Sequence, residues 1–269
     1  MYTIITVCFN AADDLEQTIL SVLSQKNCDI EYIIKDGAST DHTKAIVQKY
    51  KKELDKLKHF VFVSEKDTGL YDAMNIATKM AQGERLLFLN AGDVLADELV
   101  FKDISALAAD EDILYGNVFS REENRRMLRK PDDTSSLEKI KKGMYFCHQA
   151  ALIRSEVMKE LLYDTQYRIC ADYDFFLRAF CQGRSFRYVD RAIAGFQLGG
   201  LSERKAFDLL DESYRIRYSN GVLSAEECDR LRRNNRIKKF SRDLIPRGLY
   251  EYLKKQKRRF KQRNWDIVK

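Results

Sequence analysis

The sequence has no long apolar run. None of its stretches approaches the roughly 20 apolar residues that a membrane-spanning helix needs. The first ten residues, MYTIITVCFN, also lack the basic flank, the long apolar segment and the small-residue cleavage site of an export signal, so they are expected to form a first strand. We therefore expect a cytoplasmic protein whose contact with the inner face of the cell membrane is at most peripheral.

Several signature motifs are absent as well. The six cysteines are scattered without a C-x-x-C pair, which favours reduced thiols over disulfides. No G-x-G-x-x-G or Walker-type loop occurs, which weighs against a dinucleotide oxidoreductase and a P-loop NTPase. There is no internal repeat and no low-complexity linker, so one main domain with a smaller appended region is expected from 269 residues.

The charge is unevenly distributed along the chain. Residues 205–269 contain 19 Lys and Arg against 9 Asp and Glu, a balance of +10, so the total of +6 leaves −4 for residues 1–204. This contrast predicts a mildly acidic main domain over residues 1–204 and a basic helical extension over residues 205–269.

Short apolar runs alternate with segments that suit helices. The five runs are YTIITVCF, EYIIK, HFVFVS, RLLFLN and DILYGN, and each has the β-branched or aromatic residues of a strand buried on both faces. Between them we predict helices at DDLEQTILSVLSQ, at HTKAIVQKYKKEL with Asp41 as its cap, and at LYDAMNIATKMA, which Gly83 would end. The alternation predicts an α/β fold.

The pattern changes after residue 116. GNVFSREENRRMLRKPDD is typical of a polar excursion or hairpin, and it is followed by a short helix, a strand at HQAALIR, a helix at ADYDFFLRAFCQ and a strand near SFRYV. We expect residues 117–204 to be docked on the sheet of residues 1–116 rather than independent.

Three polar clusters follow predicted strands. They are KDGASTD after the second strand, SEKDTGLYDAMN after the third and NAGD after the fourth. Ligands of open α/β sheets bind outside the carboxyl ends of the strands, so these clusters are expected to line one site.

Together with TIITVCFNA, LEQTILSVLSQ, CHQAALIR and ADYDFFLR, these clusters resemble the family 2 glycosyltransferases, and the order and spacing are closest to bacterial polysaccharide-type members. The resemblance covers residues 2–200. It implies a GT-A fold, in which a Rossmann-like, nucleotide-binding mixed sheet is flanked by helices, with a nucleotide-binding half at 1–116 and an acceptor half at 117–204. It also implies inverting transfer of a sugar from a nucleotide-diphosphate donor to the hydroxyl of a glycan or lipid-linked acceptor.

The resemblance implies roles for several residues on the donor side. Asp36 matches the acid that accepts a hydrogen bond from the nucleotide base, and the alternative is a turn in which Asp36 binds backbone amides. The other candidates for nucleotide-sugar contact are Thr6, Cys8 and Asn10 through their main chains, and Glu65 and Asp67, for which simple solvation is the alternative.

Asp72 and Asn75 are three residues apart on a predicted helix and therefore lie on neighbouring sites of one face. That face could look toward the sugar and diphosphate. The alternative is that the acid satisfies free amides at the start of the helix.

NAGD matches the family's metal-binding acidic element. Asn90 stands where the first acid is usual and Gly92 where another often is, while Asp93 remains. Asp93 is therefore the expected ligand of Mg²⁺ or Mn²⁺. Water molecules and substrate phosphates can complete the coordination of such an ion. His148 is a further candidate near the diphosphate or the acceptor, with a satisfied structural histidine as the alternative.

Asp172 matches the family's catalytic base, with Ala171 in place of the more usual Glu. A role as helix N-cap is the alternative, and the two roles are compatible. Asp174 is expected to point away from that face. The Q-x-x-R-W signature of processive synthases is absent, which favours one transfer per encounter.

The loop with Gly199 and Gly200 suits a mobile cover or a plain turn. Farther on, residues 230–263 contain 15 basic residues against two acids, with apolar residues interleaved. This pattern predicts peripheral contact with an anionic membrane; a solvated helix or a homodimer contact are alternatives, and nucleic acid is not expected.

Two rival functions remain at this point. A catalytically silent sugar-nucleotide-binding or scaffolding protein is conceivable because Asn90 and Gly92 replace acids. Nucleotidyl transfer would predict a Gly-rich, Lys-containing loop near the N-terminus, which is missing.

Overall fold

The computed structural model describes residues 1–107, 109–122, 125–131, 134, 136–197, 206–243 and 266–268. Within these ranges the chain forms one mixed sheet of ten strands flanked by helices, so the predicted α/β fold is confirmed. The strands are β1 Tyr2–Cys8, β2 Ile30–Asp36, β3 His59–Ser64, β4 Arg85–Phe88, β5 Val94–Leu95, β6 Ile113–Glu122, β7 Arg125–Arg129, β8 Ala151–Arg154, β9 Phe186–Gln197 and β10 Asp266–Val268.

The first four of these strands form the parallel part of the sheet, since β1 pairs with β2 and β4, and β2 pairs with β3. The full order is β10-β7-β6-β8-β4-β1-β2-β3, with β9 pairing with β5 and β6. The strand predicted at HQAALIR, β8, lies between β4 and β6 and is antiparallel to both. The second half of the chain therefore extends the same sheet, as expected.

The helices cover both faces of the sheet. Their bounds are α1 Ala12–Leu23, α2 Thr43–Lys49, α3 Lys51–Leu54, α4 Leu70–Met80, α5 Val100–Ala106, α6 Ser155–Leu161, α7 Ala171–Cys181, α8 Ala206–Ser219 and α9 Ala225–Asp243, with short 3-10 helices at Leu137–Lys142 and His148–Ala150. Alternate residues of the central strands face opposite sides, which explains why their sequences are apolar throughout. Ile5 and Ile33 belong to one core cluster, whereas Ile4 and Tyr32 belong to the other.

Two helix ends differ from the sequence prediction. The helix predicted at HTKAIVQKYKKEL is interrupted at Tyr50, and Asp41 lies one residue before its N-cap, where its Oδ1 accepts the amide of Thr43 at 2.9 Å. Helix α4 ends at Met80 because Ala81 is already extended, before Gly83 is reached. Gly83 is needed for another reason, since a β-carbon there would collide with Thr3 of β1.

The C-terminal extension begins with two helices, as predicted, and α8 contacts α7 of the main domain. The strand β10, which pairs with β7, was not predicted. The domain boundary at 204/205, the Gly199–Gly200 loop and the basic segment 244–265 lie outside the described residues. The division into 1–116, 117–204 and 205–269 stays a prediction.

Candidate functional site

The polar clusters meet at the carboxyl edge of the parallel strands. Cys8 at the end of β1 pairs with Asp36 at the end of β2, and Asp36 pairs with Ser64 at the end of β3. The amide of Leu89, just after β4, donates to the carbonyl of Ile5, which brings NAGD to the same edge. The register of the sheet therefore creates the common site that the three clusters predicted.

Asp36 is buried, and its carboxylate is occupied by protein donors. Both of its oxygens lie within 3.2 Å of the Ser39 amide, the Ser39 hydroxyl donates to Oδ1, and the Ser64 hydroxyl donates to Oδ2 at 2.5 Å. This is the turn-stabilising arrangement that was weighed as the alternative. Contact of Asp36 with a nucleotide base stays a prediction.

The residues predicted to line the base pocket surround this turn. The Thr6 hydroxyl donates to the Leu89 carbonyl at 2.7 Å, and the Cys8 carbonyl accepts the Gly37 amide at 2.9 Å. Burial, reinforced by the Asp36 charge, raises the pKa of the Cys8 thiol to about 12, so the thiol is neutral. Asn10 has a left-handed φ of 48°, and its Oδ1 accepts the Thr40 amide at 3.0 Å.

A buried lysine connects the cluster that follows β3 to the cluster that follows β2. The Lys35 ammonium donates to the Asp36 and Glu65 carbonyls at 2.9 and 2.6 Å, and to Asp67 Oδ2 at 3.0 Å. The other Asp67 oxygen accepts the amide of Gly69 at 3.1 Å. Asp67 therefore shapes the loop, whereas the side chain of Glu65 is exposed at the same edge.

One aromatic residue of this edge was missed by sequence reasoning. Phe9 follows β1 and is 64% exposed, although every residue of β1 after Tyr2 is buried. It lies over Gly37, where a β-carbon would come within 3.3 Å of the Phe9 ring and 3.0 Å of Asp67 Oδ2. A large aromatic residue placed immediately after a buried strand was the available signal.

Asp72 and Asn75 have different hydrogen-bond partners within the protein. Asp72 Oδ2 accepts the amide and the hydroxyl of Thr68, both at 2.9 Å, in the helix-start role that was its alternative. Asn75 is buried, and its side-chain amide exchanges two hydrogen bonds, at 2.8 and 2.9 Å, with the backbone of Tyr163. Asn75 therefore joins α4 to the acceptor half, and contact of Asp72 or Asn75 with the ligand stays a prediction.

The NAGD segment forms a tight turn. The Asp93 amide donates to the Asn90 carbonyl at 2.9 Å, and Gly92 has a φ of +96°. An acid at position 92 would be strained in this conformation, so glycine is required by the backbone. The Asp93 side chain is 8% exposed, and Asn90 Oδ1 is buried without a hydrogen-bond partner among the described residues.

The oxygens of this turn suit a hard cation. Among the described residues, no three His, Cys, Asp or Glu side chains converge as a metal cluster. A cation at NAGD would therefore depend on the Asp93 carboxylate, on the unpartnered Asn90 oxygen, and on oxygens from water and from a diphosphate. Such an all-oxygen set fits Mg²⁺ or Mn²⁺.

Asp93 and Asp172 lie near the same thiol. Burial raises the pKa of Cys147; the Arg129 guanidinium opposes this effect, and the carboxylates of Asp93 and Asp172 add to it. Both carboxylates therefore act on one buried thiol, and a site shared by the predicted metal ligand and the predicted base stays a prediction.

Asp172 is the second residue of α7, and its N-cap is Cys170. The N-cap alternative for Asp172 is therefore wrong, although the carboxylate still lies in the first turn, where the helix dipole favours it. Its Oδ1 accepts the Tyr71 hydroxyl at 3.1 Å and the Tyr173 amide at 2.9 Å. Its Oδ2 accepts no hydrogen bond from the described part of the chain, and the residue is partly exposed.

The neighbours of Asp172 have structural roles. Asp174 is buried and pairs with Arg178 at 2.7 Å, so it is off the site as expected. The segment before α7 is held by Glu212 of α8, whose carboxylate accepts three successive backbone amides at 2.9–3.0 Å: those of Arg168, Ile169 and Cys170. The extension thus supports the start of the helix that carries Asp172.

His148 is buried next to the site. Its Nε2 lies 2.6 Å from the Tyr163 hydroxyl, and its ring stacks on Phe88 with a centroid distance of 5.2 Å. Burial lowers the pKa of His148, while the charge of Asp172 acts in the opposite direction. These contacts favour the structural alternative; a contact between His148 and the diphosphate or acceptor stays a prediction.

Comparison with known proteins identifies the family. Residues 3–174, more than half of the chain, match the sequence model of Glycosyl transferase family 2. The chain belongs to this family. The resemblance and the expectation of a glycosyltransferase are thereby confirmed. A PGL/p-HBAD biosynthesis glycosyltransferase of Mycobacterium tuberculosis is 31% identical over 208 residues, which cover 75% of this glycosyltransferase and 79% of the relative.

Solved structures confirm the GT-A fold of this glycosyltransferase. S. aureus TarS 1-349 in complex with UDP-GlcNAc has a TM-score of 0.66 at 19% identity, covering 89% of this chain and 72% of TarS 1-349. The mannosyltransferase PcManGT of Pyrobaculum calidifontis, in complex with GDP-Man and Mn²⁺, has a TM-score of 0.63 at 15% identity, covering 96% and 79%. In the described ranges, none of the helices is both apolar and long enough to cross a bilayer.

Proposed function

We propose that this glycosyltransferase moves a sugar from a nucleotide-diphosphate donor to an acceptor hydroxyl with inversion, and that Asp172 is the general base. The observation that carries the proposal is the carboxylate of Asp172: the residue is partly exposed, its Oδ1 accepts the Tyr71 hydroxyl and the Tyr173 amide, and its Oδ2 has no hydrogen-bond partner among the described residues. An oriented carboxylate with an open oxygen supports a proton acceptor, and the NAGD turn at the carboxyl edge of the sheet supports a site for diphosphate. The pathway we propose is cell-surface polysaccharide or glycan biosynthesis.

The two oxygens of Asp172 are differently occupied, which suits a base. Oδ1 is held by Tyr71 and by the Tyr173 amide, so the carboxylate has a fixed orientation. Oδ2 has no partner in the described residues and would take the proton of the attacking hydroxyl. The alternative, a silent binding protein, does not explain why a carboxylate is oriented and yet left with one open oxygen.

The donor is proposed to lie between Phe9 and NAGD. The exposed Phe9 ring would stack on the nucleotide base, whose edge would lie over the Asp36 turn. Asp93 and Asn90 would hold a divalent cation, which supplies charge neutralisation at the departing diphosphate. Support for a nucleotide sugar and for Mn²⁺ also comes from the complexes of the two structural relatives, TarS and PcManGT.

The test is a calorimetric titration of the full chain with a panel of nucleotide sugars, with Mn²⁺, with Mg²⁺ and with EDTA, followed by an assay of donor hydrolysis. We expect one donor class to bind in the presence of metal and to be hydrolysed slowly. Binding without any hydrolysis or transfer would favour the silent binding protein. No binding of any donor under any condition would defeat the proposal.

A peripheral contact with an anionic membrane is proposed for the outer face of α9. The inner face is packed, since Arg232 pairs with Asp211 and Asn235 bonds the Phe207 carbonyl. On the outer face Ile237 and Phe240 are 58% and 68% exposed, and they stand among exposed arginines. Basic residues with exposed apolar side chains suit an anionic lipid surface, as expected for an enzyme with a lipid-linked acceptor.

Sedimentation with vesicles tests this contact. The full chain should cosediment with vesicles of anionic phospholipid but not with neutral ones, and Ile237→Ser combined with Phe240→Ser should reduce binding about tenfold, since each lost apolar side chain weakens insertion. Equal binding of the double variant would contradict the role of α9 and leave homodimer contact as the alternative, which gel filtration measures.

A further inference from the structure

Tyr71 connects the donor half of the site to the predicted base. It occupies the first turn of α4, in the segment GLYDAMN, and is 7% exposed. Its hydroxyl lies 3.1 Å from Asp172 Oδ1 and 2.9 Å from the Ile169 carbonyl, about a hundred residues farther along the chain. Sequence reasoning on this segment considered Asp72 and Asn75 but not the tyrosine between Leu70 and Asp72.

The position of the Tyr71 ring is determined by packing. Its centroid lies 5.3 Å from that of Tyr163, and both rings are buried in one core cluster. A tyrosine hydroxyl has a single proton, which here is shared between two acceptors, and the carboxylate is the stronger one because it is charged. The packed ring therefore directs its hydroxyl proton to Oδ1 of Asp172.

The same face of α4 makes a second connection to the acceptor half. Asn75 is four residues after Tyr71, so the two side chains are neighbours on the helix surface. Asn75 is hydrogen-bonded in both directions to the backbone of Tyr163. Helix α4 is thus anchored at two points, one turn apart, to the segment that precedes and begins α7.

We propose that Tyr71 is a positioning residue for catalysis: its hydroxyl holds Oδ1 of Asp172 so that Oδ2 faces the acceptor hydroxyl. This inference rests on the proposed function, in which Asp172 is the general base. It assigns the GLYDAMN segment to orientation of the base rather than to direct contact with the sugar.

The tyrosine, cysteine and histidine side chains that surround Asp172 are neutral near neutral pH. Burial raises the pKa of Tyr71, Tyr163 and Cys170, and it lowers that of His148. Among the described residues, the charged groups that act on the thiols of this region are Asp93, Arg129 and Asp172 at Cys147, and Asp172 and Glu212 at Cys170. The Tyr71 hydroxyl therefore meets Asp172 as a neutral donor.

The variant Tyr71→Phe tests the inference because it removes only the hydroxyl. We expect kcat to fall about tenfold, since the base is then less well oriented, with the donor Kd and KM unchanged.

Tyr167→Phe is the matched control. Tyr167 is buried in the same core cluster as Tyr71, and its hydroxyl lies 3.2 Å from the Ser219 hydroxyl, away from Asp172. Both variants lose one buried hydroxyl, so they should lose similar thermal stability. Rates are normalised to the folded fraction from circular dichroism, which keeps the comparison valid if either variant is partly unfolded.

Identical kcat values in the two variants would overturn the role of Tyr71. Partial recovery in Tyr71→His, which restores a ring donor, would support it. Asp172→Asn tests the proposed function separately, and near-normal turnover of that variant would defeat it. If Asp172→Asn is inactive while Tyr71→Phe is normal, only the positioning role is lost.

Discussion

Two carboxylates at opposite edges of the same sheet differ in how fully they are satisfied. Glu31, near the start of β2, is fully buried, and its Oε2 accepts the Thr3 hydroxyl at 2.5 Å and the amides of Gln82 and Gly83 at 2.7 and 3.2 Å. Its Oε1 lies 2.7 Å from His59 Nδ1. Asp172, near the carboxyl edge, has partners on one oxygen only among the described residues.

This difference distinguishes a carboxylate that stabilises the fold from one that is available for a reaction. Every oxygen of Glu31 is used to join β1, β3 and the start of β4, so this carboxylate has no capacity for a ligand. Asp172 is oriented but keeps an open oxygen, which is what a proton acceptor requires. Asp36 is intermediate, because it lies at the carboxyl edge and yet has protein donors on both oxygens.

Removing Glu31 should give the largest loss of stability. Glu31→Leu would leave the Thr3 hydroxyl and two amides buried without an acceptor, at a cost of about 3 kcal/mol in the free energy of unfolding. Urea denaturation measures this loss. Glu31→Gln is the control, since its amide oxygen can still serve the three donors, and a loss in Glu31→Leu no larger than that in Glu31→Gln would contradict the scaffolding role.

The pH dependence sharpens the same comparison. Burial raises the pKa of Glu31, but the hydrogen bonds from Thr3, Gln82, His59 and Gly83 outweigh it, and the net pKa is lowered. Its stabilisation is therefore complete above the unfolded pKa of about 4.3 and is lost as the pH falls through the lower folded value. Unfolding free energy below pH 4.3 should decline more steeply in the wild type than in Glu31→Gln.

Removing the Phe9 ring should have a smaller effect, confined to the carboxyl edge. Phe9→Ala should weaken donor binding about tenfold, because one base–aromatic stack contributes about 1–3 kcal/mol. Leu20→Ala is the control, since Leu20 is also exposed but lies on α1. Equal calorimetric Kd values for Phe9→Ala and Leu20→Ala would contradict the stacking role. Phe9→Tyr should bind donor as the wild type does.

Much of the fold is predictable because burial on both faces leaves a strong pattern. Five strands follow from apolar runs, and the shared polar edge follows from the rule for parallel sheets. The insertion of β8 between β4 and β6 does not, because strand order depends on pairing between distant segments. The N-cap of α7 could not be predicted either, since Cys170 offers no sequence signal of a cap.

Of the candidate site, only the acids could be predicted from the sequence. NAGD and Asp172 belong to motifs, whereas the contacts on which the proposals for Phe9 and Tyr71 rest are not recorded by any motif. In the sequence pattern Tyr71 occupies a position typical of a core residue. Its hydroxyl nevertheless donates to Asp172, which is 101 positions away. The same holds for Glu212, whose three backbone contacts connect the extension to the segment before α7.

The most direct test is to measure donor affinity and turnover on Asp172→Asn. We predict that turnover falls by about a thousandfold, within the range that general bases contribute, while the donor Kd and the urea midpoint stay close to those of the wild type. Turnover within tenfold of the wild type, or an equal loss of donor binding and folding, would contradict the claim that the open oxygen of Asp172 performs the chemistry.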